Sequence, residues 1–180
     1  MTTLTIGTTV DEVLALVDEL DEIIHAGIDL RTLAHRGAAL AMAEGADDEL
    51  VVATLLHDIG RARYLAKAAP GVPHEEVGRR FVADRYSERC AWLVANHVLA
   101  QRYLLTVDPD FKETLTGPQQ TALRKAGGKI SQQRTLKFES QEFTADAVRL
   151  RRWADRAVSE TPSLPSHDDL ARTLEAAWVR

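Results

Sequence analysis

Apolar residues recur at three- and four-residue spacing along almost the whole chain, the pattern of helices that each bury one face. Val10, Leu14, Val17 and Leu20 begin the series behind a Thr9-Val10-Asp11-Glu12 capping box, predicting a first helix to about Ile24. Ala26-Gly27 breaks the pattern. A second helix is predicted from about Asp29 to Ala43, stopped by Gly45. Asp47 or Asp48 caps a third. Its run Leu50-Val51-Val52-Ala53-Thr54-Leu55-Leu56 has no charged face and reads as buried, with Gly60 as its stop. Two prolines and a glycine mark residues 67–73 as a loop. His74 opens the next helix, with Val77, Phe81 and Val82 inward, and another runs from about Ser87 to near His97. Pro109, Gly117, Pro118 and Gly127-Gly128 break residues 98–128 into short pieces, a stretch of the kind that closes over a site. Ser131 caps a short helix to Glu139, and a longer one spans about Ala145 to Val158. The last helix, Ser166 to Trp178, is amphipathic through Leu170, Leu174 and Trp178. Few strands are expected, and the fold class is all-α.

Composition narrows the picture modestly. A chain of 180 residues is long enough for one domain with a full core, here expected over about residues 20–160. The net charge of −5 argues against a nucleic-acid or anionic-membrane partner. Cys90 is the only cysteine, so neither an intramolecular disulfide nor a cysteine-based zinc site is available, and it reads as a small buried hydrophobe. Residues 1–8 read as a loose terminus and His167 as solvent-facing. With no basic-then-apolar leader and no apolar run of membrane-spanning length, a cytoplasmic location is expected.

Candidate chemistry lies in the histidines. In Leu55-Leu56-His57-Asp58-Ile59-Gly60 an ionisable pair ends an apolar helix, a costly placement without compensation. Alone, the dipeptide reads most simply as a salt bridge. His35, His57, His74 and His97, however, are 22, 17 and 23 residues apart, about one helix and one loop each. Helices around a common centre can converge such side chains, and imidazole with carboxylate is a good donor set for first-row metals.

His35, His57-Asp58, His74 and His97 resemble the ligand pattern of the HD-domain superfamily. That resemblance implies a sixth ligand, Asp155, and two metal ions bridged by Asp58. His35, His57 and Asp155 would hold one ion, and His74 and His97 the other. Within the superfamily, residues 20–160 resemble the PhnZ-like branch, di-iron oxygenases related to myo-inositol oxygenase. The motifs are Ala46-Asp47-Asp48-Glu49-Leu50 leading into the HD pair, His74-Glu75-Glu76-Val77-Gly78 and His97-Val98-Leu99-Ala100-Gln101-Arg102-Tyr103-Leu104. Asp108-Pro109-Asp110-Phe111, Gly127-Gly128, Phe138-Glu139 and Asp146-Ala147-Val148-Arg149-Leu150-Arg151-Arg152-Trp153-Ala154-Asp155 continue it. The branch implies a mixed-valent Fe(II)/Fe(III) cofactor, with O2 as co-substrate. Its default substrate is a small α-hydroxyphosphonate, cleaved to phosphate and a carbonyl product.

The chain departs from that branch around the substrate. Gln101 stands for a lysine, Gln119 for a serine, Ala126 for a glutamine and Arg61 for a histidine. His25 and Ile28 replace a tyrosine and a glutamate that guard the iron site. Arg61 suits an anion by bidentate pairing, with Gln101, Arg102, Gln119, Lys129 and Arg152 as further substrate candidates. His25 is a candidate sixth ligand or proton relay. Arg149, Arg151 and Arg156 read as a solvated helix face. The rewritten pocket also admits a carboxylate or an amino-alcohol. Two other functions compete: an HD phosphohydrolase on a nucleotide or phosphoester with Mn or Co, and a non-enzymatic metal-binding or sensing domain.

Overall fold

The computed structural model describes residues 8–179; the expectation for residues 1–7 lies outside the described residues. Helix α1 (Val10–Asp18) starts at Thr9, whose hydroxyl accepts the Glu12 N–H, while Thr8 donates to the Glu12 carboxylate. A 3₁₀ turn (Glu19–Glu22) extends it. The break at Ala26-Gly27 is a hairpin of two-residue strands, β1 (Ile24–His25) and β2 (Ile28–Asp29), both turn residues having positive φ. Asp29 then caps α2 (Leu30–Ala43), with Gly45 left-handed after its end.

Helix α3 (Asp48–Leu56), capped by Asp47, is buried on every side from Leu50 to Leu56, as its unbroken apolar run requires. It packs against α2, α6 (Glu88–Val107), α9 (Thr144–Arg156) and α10 (His167–Ala176). A 3₁₀ turn (Ile59–Arg61) and a short α4 (Arg63–Ala68) lead to the expected loop and to α5 (His74–Ala83), which lies along α6. Residues from α1, α2, α3, α5, α6, α9 and α10 share one apolar core. No helix among the described residues is long and apolar enough to cross a membrane.

The largest difference from expectation is at α6. It does not stop near His97 but continues ten residues to Val107, because nothing in residues 98–107 breaks a helix and Ala100 and Leu104 are buried. The stretch beyond is also ordered into a 3₁₀ turn (Phe111–Thr114) and α7 (Gly117–Lys125). Pro118 sits in the first turn of α7 behind a Thr116 capping box with Gln119, where proline is tolerated. Leu104, Phe111, Leu115 and Leu123 make a second small core there. Helix α8 (Gln132–Glu139) follows Ser131 as expected. Cys90 is buried, its S–H faces the Glu49 carbonyl, and burial pushes its thiol up to about 12.

Candidate metal centre

His57 is the C-cap of α3, and Asp58 leaves the helix at φ −100°, ψ 8°, turning its carboxylate into a cavity of about 490 Å³. His74 begins α5, and His97 lies in the middle of α6. Gly60 brings the Asp58 turn against the first turn of α5. A Cβ there would overlap the His74 carbonyl oxygen and lie 2.7 Å from the Gly78 nitrogen. Gly78 in turn lies close to Gly60, Ile59 and Val94.

Asp58 Oδ1 lies 3.0 Å from His74 Nε2 and 3.7 Å from His97 Nε2, and those two nitrogens are 3.3 Å apart. His57 Nε2 lies 3.5 Å from the other oxygen, Oδ2. Each ring is fixed from behind. His57 Nδ1–H donates to the Thr54 carbonyl and His97 Nδ1–H to the Val94 carbonyl, both at 2.7 Å. His74 Nδ1 faces the Glu75 carboxylate at 3.0 Å. Carbonyls and carboxylates only accept, so the proton of each neutral ring sits on Nδ1 and the Nε2 lone pair faces inward. Outer carbonyl and carboxylate partners orient metal-bound histidines in the same way. Three lone-pair atoms, Asp58 Oδ1, His74 Nε2 and His97 Nε2, thus meet within one ion's reach, forming a group able to hold a metal. Converging lone pairs without a cation between them repel, so the donor set fits a metal ion.

Electrostatics agree. Burial lowers the pKa of His57 against the Asp58 charge. Burial, reinforced by His57, puts that of His97 well below the ordinary value. Burial pushes Asp58 upward, but His57, His74, Arg61 and His97 around it together hold it well below the usual carboxylate range. Burial thus favours neutral His57 and His97, and Asp58 is held ionised, the forms that bind metal.

Not every sequence candidate reaches this cavity. Arg61, Gln101, Gln119 and His25 line it. Arg61 Nε donates to Asp58 Oδ1 at 2.8 Å, with Nη2 3.1 Å from His74 Nε2. Burial lowers the His25 pKa, while Asp58 opposes the shift. Arg102, Lys129 and Arg152 lie outside the cavity. Arg102 donates to the carbonyls of Gly127 and Gly128, Arg152 pairs with Asp108, and Lys129 is exposed.

His35 and Asp155 do not join the metal group. Helix α2 meets the cavity through Leu30 and Leu33, and His35 lies two residues further along the helix, among Asp18, Arg31 and Asp29. Helix α9 meets it through Arg151, Ala154 and Val158. The Asp155 carboxylate instead accepts two N–H groups from Arg151, at 2.7 and 3.1 Å, and one from Gln101 at 2.7 Å. Gln119 adds longer bonds to the Asp155 carboxylate and carbonyl. His35 and Asp155 therefore stand outside the converging group of Asp58, His74 and His97.

Arg151 is the residue that sequence reasoning missed. Its side chain is only 12% exposed, it pairs with Asp155, and it lines the metal cavity rather than a solvated face. The available signal was its i,i+4 spacing to Asp155, together with apolar Ala147, Leu150 and Ala154 on the same face of α9.

The HD domain family matches residues 30–125. A hydroxymethylphosphonate dioxygenase of Gimesia maris is 30% identical over 150 residues, 78% of this chain and 73% of that protein. A [1-hydroxy-2-(trimethylamino)ethyl]phosphonate dioxygenase (glycine-betaine-forming) of Leisingera caerulea is 27% identical over 135 residues, 71% of this chain and 69% of that protein. The helical bundle, the buried His/Asp group and these similarities place the chain in the HD-domain family, related to the PhnZ-like phosphonate dioxygenases.

Proposed function

We propose that this protein is an iron-dependent oxygenase that oxidatively cleaves a small, α-hydroxylated anion. The observation that carries the reading is the convergence of Asp58 Oδ1, His74 Nε2 and His97 Nε2 in a cavity that also contains arginines. The named activities of the two relatives favour oxygen chemistry over hydrolysis, and a phosphonate over other anions.

Bound iron supplies the activation of O2 and a Lewis-acid contact for the substrate hydroxyl. The chain's own residues do the rest. Asp58, His74 and His97 hold the metal, and the carbonyls of Thr54 and Val94 with the Glu75 carboxylate keep the imidazoles aimed. Arg151, held by Asp155, and Arg61, held by Asp58, give the cavity two fixed cations for a phosphonate or carboxylate. Gln101 and Gln119, anchored on Asp155, present neutral amides where a compact dianion or a zwitterion is accommodated. Ile23, Leu30, Leu33 and Val98 are apolar walls beside the reacting carbon. His25 sits on the wall in neutral form and accepts the hydroxyl proton.

Iron(II)-reconstituted protein incubated with hydroxymethylphosphonate and with short α-hydroxycarboxylates tests the assignment. Oxygen uptake matched one-to-one by phosphate release establishes C–P cleavage. Oxygen uptake with a carboxylate substrate alone moves the substrate class. Phosphate release from phosphoesters without oxygen uptake replaces the oxygenase with a phosphohydrolase.

A further inference from the structure

The stretch from Gly117 to Phe138 carries Arg124, Lys125, Lys129, Arg134 and Lys137 and no acidic residue, in a chain whose net charge is −5. All five cations are exposed, and among the described residues none of them forms an ion pair; Arg124 bonds only the Thr121 hydroxyl. Arginines elsewhere differ: Arg61, Arg63, Arg89, Arg151 and Arg156 each meet a carboxylate. The flanking acids are Glu113 and Glu139, and Glu139 accepts the Tyr103 hydroxyl.

This basic stretch stands at the opening of the metal cavity. Ala122 and Ala126 line the cavity and are exposed to solvent, so α7 forms part of its rim. Ile24 and Arg61 are exposed lining residues on its other sides. Lys125 precedes Ala126, and Lys129 follows it across the Gly127-Gly128 turn. The turn is fastened to α6. Arg102, next to the cavity residue Gln101, donates to the carbonyls of Gly127 and Gly128, and Thr106 accepts the Ile130 N–H. A Cβ on Gly127 would meet the Arg102 guanidinium at 2.9 Å. On the other lips the nearby acids already have partners, Glu22 in Arg63 and Glu75 in His74.

We propose that this rim is an electrostatic entrance: its unpaired lysines and arginines draw an anionic substrate to the cavity, where Arg61 and Arg151 take over the contact. The entrance rests on the anionic substrate proposed above and adds how that substrate is collected. Unpaired cations on one lip give a positive field that carboxylate-paired ones do not, and on a net-acidic protein that field marks one route of approach. Exposed charges of this kind set the association rate and its salt dependence, whereas contacts inside the cavity set dissociation.

Binding alone tests the entrance. Exchange broadening of the 31P signal of hydroxymethylphosphonate gives both rates, with metal-free and with Zn(II)-loaded protein, in low and in high NaCl. The wild-type association rate should fall about tenfold from low to high salt. Lys125→Glu and Lys129→Glu should each lower it about threefold at low salt and converge with the wild type at high salt, with dissociation unchanged. Lys112→Glu makes the same charge change outside the stretch and the cavity, and should leave the rate nearly as it was. An association rate that ignores both salt and the two reversals overturns the entrance. So does a salt dependence that survives both reversals intact, which would put the attracting charge on Arg61 and Arg151. Absence of any binding of hydroxymethylphosphonate or inorganic phosphate defeats the anionic-substrate reading and the entrance with it. Salt-dependent capture that the reversals abolish, without oxygen uptake by the iron-loaded protein, leaves the entrance standing and removes the oxygenase.

Discussion

Gly60 and His74 are in backbone contact: a single methyl on Gly60 would overlap the His74 carbonyl oxygen. The Asp58 turn and the α5 start can be this close only with hydrogen at that position, and Asp58 Oδ1 lies 3.0 Å from His74 Nε2 as a result. Gly60→Ala should therefore force the turn off α5. Overpacking of this kind costs about 1–3 kcal/mol, and backbone rather than a flexible side chain must move. The expected outcome is a lower urea midpoint and a loss of metal affinity of at least tenfold, measured by denaturation and by Co(II) titration. Unchanged affinity in a folded variant would show that the two donors are positioned independently of this contact.

Asp155 and Arg151 form a nearly buried pair, the carboxylate side chain being 5% exposed, with Gln101 and Gln119 filling further lone pairs. Asp155→Asn keeps the shape but removes the charge from these bonds. Hydrogen bonds to charged groups contribute about 1.5–3 kcal/mol, so stability should fall by an amount in that range. Iron content per chain should not change, because Asp155 is not among the residues whose donor atoms converge, Asp58, His74 and His97. Urea unfolding and iron analysis on the same preparation check both halves. Substrate KM should rise, since the variant also weakens the anchor of Arg151 and both glutamines.

The sequence showed most of the helices because their caps and apolar spacings are local: Thr9, Asp47, Ser131 and Ser166 all cap where expected. His57, Asp58, His74 and His97 were legible as a group for the same reason, each standing at or near a helix end or on an apolar face. What was not legible depends on rotation. Whether α9 aims Ala154 or Asp155 at the cavity is a difference of one residue, set by packing of Leu150 and Trp153 against distant helices. On α2 the corresponding difference, between Leu33 and His35, is two residues. Arg151 read as solvated because one charged side chain among four arginines in α9 carries no sign of which faces inward. The length of α6 was not legible because His97 lies inside the helix, with no breaking residue directly after it to mark where the helix ends.

The hairpin that carries His25 turns through Ala26, at φ 52°, and Gly27, at φ 84°. Positive φ at both positions is the habit of a tight hairpin turn, which favours Asn-Gly over Ala-Gly. An alanine in the left-handed region costs about 1 kcal/mol. Ala26→Asn should therefore raise the melting temperature by a few degrees, read by calorimetry. It should also leave iron content unchanged, since neither strand contributes to the group formed by Asp58, His74 and His97.

His35 offers a pH test that separates a buried structural histidine from a metal ligand. Its Nε2 has no hydrogen-bond partner, and burial lowers its pKa from 6.5, with Asp18 opposing the shift and Arg31 adding to it. Above pH 6.5 the ring is neutral in both folded and unfolded chains and proton binding favours neither. As the pH falls below 6.5 the unfolded chain takes up a proton that the folded chain resists, so this residue's linked stability is lost on acidification. His35→Leu removes that loss and also removes an unsatisfied buried nitrogen, whose desolvation costs about 1–3 kcal/mol. The variant should be at least as stable as the wild type at pH 7.5, and its advantage should widen at pH 5.5, measured by urea unfolding of metal-free protein. Its iron content should equal that of the wild type. Loss of iron in a stable His35→Leu protein would return His35 to the ligand set and require α2 to rotate towards Asp58 when metal binds.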